Sequence, residues 1–323
     1  MKPLRIGTRG SALALWQARA VAAGLERTGI PAELVVITTR GDARQDVPLS
    51  AIGGKGVFVT EIHEALRGDE IDLAVHSAKD MAAVSPEGLT IAAVLAREDP
   101  RDALVFPLRS RSPEGLRYPS SNVDAVSHVD GVAQPIRAAT MVVGTGSPRR
   151  MAQLRRLHPD ARFESIRGNV DTRLRKLDAG EVDMLVLACA GLRRLGLADR
   201  ISAPIAIADC VPAPGQGIIA IEVRASDRAT SDMVASLNHP GARTALAAEQ
   251  AVVAELGGGC QLPLGVFAEL QGSDLSIRAV AASLDGSRVV QGEAAGNSAA
   301  AIETGMRLAQ DLASRGAMEL LHS

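Results

Sequence analysis

Aromatic residues make up only 2% of this chain of 323 residues. Proteins that bind single-stranded nucleic acid stack the bases on aromatic side chains, and the net charge of −2 gives no positive field that would attract phosphates. We therefore expect no nucleic-acid partner. No apolar run reaches the roughly 20 residues that a membrane-spanning helix needs, so we also expect no membrane association.

Cysteine and histidine are scarce as well. Cys189, Cys210 and Cys260 are odd in number and widely spaced, which argues against a disulfide framework and for a reducing compartment. Residues 1–7 enter a strand pattern without a signal peptide, so a cytoplasmic protein is expected. The six histidines are scattered, with no cluster at ligand spacing, so no metal site is expected.

Lysine is nearly replaced by arginine, since only four of the 35 basic residues are lysines. Genome composition can produce this bias. Arginine also binds carboxylates through two parallel hydrogen bonds, which lysine cannot do. A small anionic ligand is therefore a natural candidate.

The chain is longer than a single core usually supports. Strand and helix patterns alternate as far as residue 223, which favours a parallel sheet with helices on its faces. From Thr244 the pattern changes to a helix, short strands and a C-terminal helix, typical of an α+β domain. The predicted domains are a first α/β lobe (residues 1–103 with 218–236), a second α/β lobe (104–217) and a smaller C-terminal α+β domain (240–323).

Two local predictions can be checked against a structure. Ser11 is expected to cap a helix that ends near Arg27, and its apolar stripe should contain Leu13, Trp16 (or Leu15), Ala20 and Leu25. Residues 107–137 lack apolar periodicity and are rich in Ser, Pro, Arg and Asp. They predict a long surface excursion.

Four turns place basic or hydroxyl residues where a predicted strand ends and a helix begins. Ligands of open α/β sheets bind beyond the carboxyl ends of the strands, and helix N-termini offer free N–H groups and partial positive charge. Arginines added there make a receptor for carboxylates or phosphates. The candidate binding residues in these turns are Arg9, Ser11, Lys55, Thr145, Ser147, Arg149, Arg150, Arg167 and Arg173.

A nucleotide fits these turns poorly. Lys55 is followed by glycine, so the pattern of a phosphate-binding P-loop fails. Residues 215–220 match G-x-G-x-x-A, but they follow a proline-rich stretch and not a strand, which disfavours dinucleotide binding. A ligand with several carboxylates fits better.

Two further stretches carry chemistry. His76–Asp80 ends an apolar strand with adjacent Lys79 and Asp80, which form either a local ion pair of little energetic weight or a carboxylate that faces a cationic intermediate. Gly257–Pro263 cannot be helical. It is either a turn with an incidental cysteine or a loop that presents the sulfur of Cys260.

The chain resembles the porphobilinogen deaminase (hydroxymethylbilane synthase) family. The resemblance rests on six motifs that occur in the family's order: Gly53-Gly54-Lys55-Gly56, His76-Ser77-Ala78-Lys79-Asp80, Arg97-Glu98-Asp99-Pro100-Arg101-Asp102, Arg167-Gly168-Asn169-Val170, Pro214-Gly215-Gln216-Gly217 and Gly258-Gly259-Cys260-Gln261-Leu262-Pro263. It implies three domains, the first two like the lobes of periplasmic binding proteins. It also implies a dipyrromethane cofactor bound to Cys260 by a thioether, and the joining of four porphobilinogen molecules head to tail with loss of ammonia.

The resemblance also implies residue roles. Asp80 is expected to be the catalytic carboxylate, and Lys55 and Phe58 are expected in a loop over the site. Residues expected to hold cofactor and substrate, chiefly through their acetate and propionate groups, are Arg9, Ser11, Ser77, Lys79, Thr145, Ser147, Arg149, Arg150, Arg167 and Arg173. The enzyme is expected to be a monomer whose product passes to uroporphyrinogen-III synthase. A non-catalytic polycarboxylate-binding protein on the same two lobes is the alternative, which the Cys260 domain and the lack of a secretion signal disfavour.

Overall fold

A computed structural model describes residues 2–39, 59–108, 141–258 and 262–322. Within these ranges the strands are β1 (Leu4–Thr8), β2 (Ala32–Val36), β3 (Leu73–Ser77), β4 (Leu89–Val94), β5 (Asp102–Val105), β6 (Val142–Gly144), β7 (Arg162–Glu164), β8 (Met184–Ala188), β9 (Ala203–Pro204), β10 (Ile219–Arg224), β11 (Leu264–Gln271), β12 (Asp274–Ala282) and β13 (Val289–Asn297). The α-helices are α1 (Ala12–Arg27), α2 (Thr60–Arg67), α3 (Pro148–Leu157), α4 (Val170–Asp178), α5 (Cys189–Arg194), α6 (Arg228–Ala235), α7 (Pro240–Glu255), α8 (Ala301–Ser314) and α9 (Ala317–His322). None of the described helices is long and apolar enough to cross a membrane.

The first sheet has the strand order β2-β1-β3-β10-β4. Strand β1 is parallel to β2 and β3, whereas β10 returns from far along the chain and lies antiparallel between β3 and β4. Helix α1 packs on one face of the sheet and α2 on the other. Ile6, Leu73 and Ile221 are therefore fully buried, as expected for strands covered on both faces.

The second sheet follows the same plan, with the order β7-β6-β8-β5-β9. Strands β7, β6 and β8 are parallel, and β5 is antiparallel to β8. Strand β5 begins at Asp102, so the predicted limit of the first lobe at residue 103 falls inside a strand of the second sheet. Although Asp102 carries a charge, its side chain is fully buried at the start of this strand.

The C-terminal residues form the antiparallel sheet β11-β12-β13. Helices α7, α8 and α9 pack against it, and Val252, Val266, Ile277 and Leu312 share their core. The predicted single C-terminal helix is two helices, separated at Gly316, whose φ is 86°. The predicted fold class, two α/β lobes with a smaller C-terminal α+β domain, is confirmed.

A buried glutamate attaches the C-terminal domain to the crossovers between the lobes. Both carboxylate oxygens of Glu249 on α7 accept hydrogen bonds from Arg97, at 2.7 and 2.8 Å. They also accept from the backbone N–H groups of Gly215 (2.6 Å) and Ala268 (2.8 Å). Removing one partner of such a buried pair costs about 3–5 kcal/mol, so this contact fixes the position of the third domain.

The apolar stripe predicted for α1 is wrong in part. Leu25 is buried, but Trp16 is 40% exposed and the buried face carries Ala18 and Val21. Small side chains let the helix approach the sheet closely. The indole of Trp16 instead lies near the guanidinium of Arg194, 5.7 Å from the ring centre.

The first helix of the C-terminal domain begins earlier than predicted. Helix α7 starts at Pro240, not at Thr244, because the imidazole Nδ1 of His239 accepts a hydrogen bond from the N–H of Ala242 at 3.1 Å and caps the helix. Proline is favoured at this first helical position, where its missing N–H has no partner to lose.

Candidate active site

The turn that carries Lys79 and Asp80 follows β3 directly as a single 3₁₀ turn. Its first N–H, from Ala78, donates to the carbonyl of Ile218 at 3.0 Å. Gly215 approaches the turn so closely that a Cβ there would lie 2.9 Å from the carbonyl carbon of Ala78. Gly215 also has a φ of 73°, so only glycine is accommodated and the loop holds the turn in place.

A chain of hydrogen bonds leads from Lys79 into the second lobe. The amine of Lys79 donates to Gln216 Oε1 at 3.4 Å. The amide of Gln216 then donates to Asp102 Oδ1 at 2.9 Å and to the carbonyl of Pro100 at 2.7 Å. Gln216 therefore connects the cation of the first lobe to the buried carboxylate of the second.

Asp102 holds two arginines from the first turn of α3. Arg149 donates to Asp102 Oδ2 at 2.7 Å, and Arg150 donates to Oδ1 at 2.8 Å. Burial raises the pKa of Asp102, but the two guanidinium groups lower it far more, to well below its usual range. Both arginines are almost fully buried. They are fixed side chains at the carboxyl edge of the sheet and not solvated surface residues.

The start of α3 explains how the arginines reach this position. Ser147 caps the helix, its hydroxyl accepting from the N–H of Arg150 at 3.5 Å, and Pro148 follows in the first turn. The hydroxyl of Thr145 in turn accepts from the N–H of Ser147 at 3.3 Å. The helix therefore begins at the sheet edge, and the side chains of its first turn point inward.

A cavity of about 90 Å³ lies between the two lobes. Its cationic residues include Lys79 from the first lobe and Arg150 and Arg173 from the second. Burial, and then the charge of Arg150, lowers the pKa of Lys79 to about 8. Burial, followed by Arg150 and Arg167, lowers the pKa of Arg173 to about 10. The cavity thus gathers positive charges that repel each other, and anionic ligand groups relieve that repulsion.

A second cavity of about 60 Å³ touches all three domains. Lys79, Ser147 and Arg149 line it, together with apolar residues of the C-terminal domain that include Val253 and Leu262. Leu262 stands two positions after Cys260 in the sequence. The Nε of Arg149 is buried without a hydrogen-bond partner among the described residues.

Six of the predicted site residues line these two cavities: Ser77, Lys79, Ser147, Arg149, Arg150 and Arg173. Asp80 is half-buried beside them, close enough that its charge partly offsets the lowering of the pKa of both Lys79 and Arg173.

The other predicted site residues fall into two groups. Arg9, Ser11, Thr145 and Arg167 do not line either cavity. Ser11 caps α1 by accepting from the N–H of Ala14 at 3.3 Å. Lys55, Phe58 and Cys260 lie outside the described residues, as does residue 109 onward of the predicted excursion.

Asp102 and Gln216 were not recognised as site residues from the sequence. Both stand in motifs that were noticed, Asp102 at the end of residues 97–102 and Gln216 between two glycines. Asp102 could have been recognised because the apolar residues Ala-Leu-Val follow it. A charged side chain at the start of a buried strand needs a partner of opposite charge. Gln17 was also missed, and its amide donates to the hydroxyl of Ser77 at 2.8 Å.

No metal site was expected because the histidines are scattered in the sequence, but the folded chain brings two of them together with a glutamate. His63, His76 and Glu222 are far apart in sequence, but α2, β3 and β10 bring their ligand atoms within 4.8 Å of one another. Burial raises the pKa of Glu222, yet contact with the two imidazoles lowers it to about 2. The antiparallel pairing of β3 with β10 brings together residues that are far apart in the sequence, so their spacing along the chain cannot predict the cluster.

The fold and the two cavities define a two-lobed α/β protein with a cationic cleft suited to a ligand that carries several carboxylates. Two family models match the chain: "Porphobilinogen deaminase, dipyromethane cofactor binding domain" over residues 4–232 and "Porphobilinogen deaminase, C-terminal domain" over residues 244–314. The chain belongs to the porphobilinogen deaminase family.

Individual relatives agree with this assignment. Porphobilinogen deaminases of two strains of Acidithiobacillus ferrooxidans are each 44% identical over 320 residues, covering 98% of this chain and 97% of the relative. Among solved structures, a periplasmic substrate-binding protein of an ABC transporter from Coxiella burnetii aligns at 13% identity with a TM-score of 0.39, covering 75% of this chain and 94% of that one. An ancestral arginine-binding protein aligns at 13% identity with a TM-score of 0.35, covering 73% and 91%. Structural likeness this low adds nothing to the assignment.

Proposed function

We propose which residues of this chain perform its reaction. Family membership gives the reaction itself: four porphobilinogen molecules are joined head to tail, each with loss of ammonia, to give the linear tetrapyrrole hydroxymethylbilane. The observation that carries the residue assignment is the cavity between the lobes, where Lys79, Arg150 and Arg173 converge and Asp80 lies beside them.

The cations bind the side chains of the substrate. Porphobilinogen carries an acetate and a propionate, so every unit added to the chain brings two carboxylates. Arg150 and Arg173 offer guanidinium groups that bind a carboxylate through two hydrogen bonds. Arg150 is held by Asp102 at 2.8 Å and by the carbonyl of Val186 at 3.0 Å, so it is oriented before the ligand arrives.

Asp80 stabilises the positive charge that develops on the substrate. When ammonia leaves porphobilinogen, the electron-poor product carries charge that is shared with the pyrrole nitrogen. A carboxylate fixed beside that nitrogen in a half-buried site stabilises the charge as it forms. The positive charges of Lys79 and Arg173 lie close enough to interact with this carboxylate.

Cys260 is the proposed attachment point of the dipyrromethane cofactor, through a thioether. The other two thiols are poor nucleophiles, because burial raises the pKa of Cys189 and of Cys210 to about 12. Leu262 and Arg149 both line the cavity of the three domains, so we expect the guanidinium of Arg149 to bind a carboxylate of the cofactor there. When bound, the cofactor supplies the pyrrole carbon to which the first substrate unit is joined.

The same proposal covers the oligomeric state of the enzyme, its compartment and the enzyme that receives its product. The enzyme acts as a monomer in the cytoplasm and passes its product to uroporphyrinogen-III synthase. Within one chain the described residues already unite the cationic cavity, the turn of Asp80 and the flanks of the Cys260 loop, so no second copy is needed to complete the site.

Substitution of Asp80 tests the assignment. Asp80→Asn keeps the shape and removes the charge, so it should leave the fold intact and lower turnover by about 10²–10⁴-fold. Asp80→Glu keeps the charge but displaces it, so a measurable remainder should persist. Asp160→Asn, which changes an exposed aspartate of the second lobe, is the control and should be silent. Equal turnover in the Asn and Glu variants of Asp80, or more in the Asn variant, contradicts charge stabilisation.

A further inference from the structure

Three side chains with metal-binding groups converge in the first lobe, apart from the two cavities. His63 comes from α2, His76 from β3 and Glu222 from β10. Their side chains are 12%, 3% and 0% exposed. The Oε2 atom of Glu222 lies 2.9 Å from the Nε2 of His63 and 3.4 Å from the Nε2 of His76.

These atoms lack the hydrogen bonds that buried polar groups normally make. Within the described part of the chain, both Nε2 atoms lie at ion-pair distance from Glu222 Oε2, but neither they nor the oxygens of Glu222 take part in a well-aligned hydrogen bond. Such groups are almost always satisfied by protein or by a bound species, and leaving one without a partner costs about 1–3 kcal/mol. One ligand atom from each residue lies within 4.8 Å of the other two, so a single ion placed among these three atoms can interact with all of them.

The distances fit a tetrahedral metal ion. Zinc binds histidine nitrogen and carboxylate oxygen at about 2.0–2.1 Å, which places neighbouring ligand atoms about 3.3 Å apart. The two separations from Glu222, 2.9 and 3.4 Å, lie on either side of that value, and all three ligand atoms lie within 4.8 Å of one another. Two imidazoles with one carboxylate suit zinc and similar transition metals, whereas magnesium and calcium prefer oxygen ligands alone.

We propose that His63, His76 and Glu222 form a binding site for one divalent transition-metal ion of the zinc type. The three ligands leave a coordination position for water, and the 12% exposure of His63 gives the ion access. The ion ties α2 to β3 and β10. Because β3 ends in the turn of Lys79 and Asp80, metal binding stabilises the lobe that carries the catalytic turn.

Cobalt(II) is a suitable probe, because its visible absorption reports the ligands. Full-length protein is treated with a chelator, freed of it and titrated with Co²⁺. We expect about one ion per chain, with visible d–d bands of a four- or five-coordinate site and without the intense near-ultraviolet band of thiolate ligation. Zn²⁺ should displace the cobalt and raise the melting temperature. Thiolate bands would show that the ion sits on cysteine and would overturn the proposal.

Variants of the ligands complete the test. His63→Gln should weaken Co²⁺ binding by at least about 100-fold, since loss of outer-shell partners alone weakens metal binding 10–100-fold. Glu222→Gln should weaken Co²⁺ binding to a similar extent. It replaces His63→Gln in the test if circular dichroism shows that His63→Gln does not fold. His158→Gln, in a half-buried histidine of the second lobe, should bind as wild type. No binding by the wild type, or wild-type binding by a folded ligand variant, would show that the cluster is only an internal ion pair.

Discussion

Replacing Lys79 with methionine should stabilise the cofactor-free protein while it impairs ligand binding. Burial and the charge of Arg150 lower the pKa of Lys79 from 10.5 to about 8. The folded protein therefore disfavours the charged amine, and the unfolded chain does not. Methionine keeps the apolar stem of the side chain and removes the charge.

The size and the pH dependence of the effect follow from this shift in pKa. Each unit corresponds to about 1.4 kcal/mol, so the charged amine lowers the free energy of unfolding by about 3 kcal/mol. Below pH 8 Lys79 is protonated in both states, and the full penalty is present. Between pH 8 and 10.5 the unfolded state binds more protons, so the stability of the parent protein rises with pH. The advantage of Lys79→Met should thus fall to about 1.5 kcal/mol at pH 9.5.

Urea unfolding in a Cys260→Ser background measures this difference at pH 7 and at pH 9.5. That background keeps cofactor carboxylates away from Lys79. Lys176→Met, in the last turn of α4, is the matched control and should change stability by less than about 0.5 kcal/mol. A Lys79→Met protein that is no more stable than its parent at pH 7, or whose advantage does not change with pH, would refute the reasoning.

Two other substitutions and one deletion test neighbouring parts of the site. Asp102→Asn leaves two buried guanidinium groups without their carboxylate and should lower the free energy of unfolding by about 3–5 kcal/mol in urea; a loss below about 1 kcal/mol would contradict the ion-pair geometry. In Arg149→Lys a shorter side chain ending in one ammonium replaces the guanidinium whose Nη1 donates to Asp102 and to the Val211 carbonyl, so cofactor content and turnover should both fall clearly; wild-type values would remove Arg149 from the site. Deleting most of residues 109–132 should leave turnover within a few-fold, and loss of activity in a folded protein would show that the segment covers the cleft.

Much of the fold could be predicted because local patterns agree with the tertiary structure. Ser11 caps α1, as the sequence predicted. Residues 218–223 were expected to rejoin the first sheet, and β10 does so. Errors arose where tertiary packing differs from the apolar periodicity of the sequence. Trp16, for example, was predicted in the buried stripe of α1 but is exposed.

The site was harder to predict than the fold. The charged turns could be recognised because basic residues at strand ends have few structural uses. Which of them share a cavity depends on how the lobes face each other, so Arg150 and Arg173 meet Lys79 while Arg9 lies elsewhere. Buried pairs such as Asp102 with Arg149 join residues 47 positions apart. Spacing in the sequence carries no information about them.

Intact mass of the purified chain, before and after addition of porphobilinogen, tests the central claim most directly. The mass should exceed that of the polypeptide by one dipyrromethane, and limiting substrate should add further masses in steps of one pyrrole unit, up to four. Cys260→Ser should show neither the adduct nor the steps. An unmodified wild-type chain, or an adduct on Cys189 or Cys210, would contradict the account.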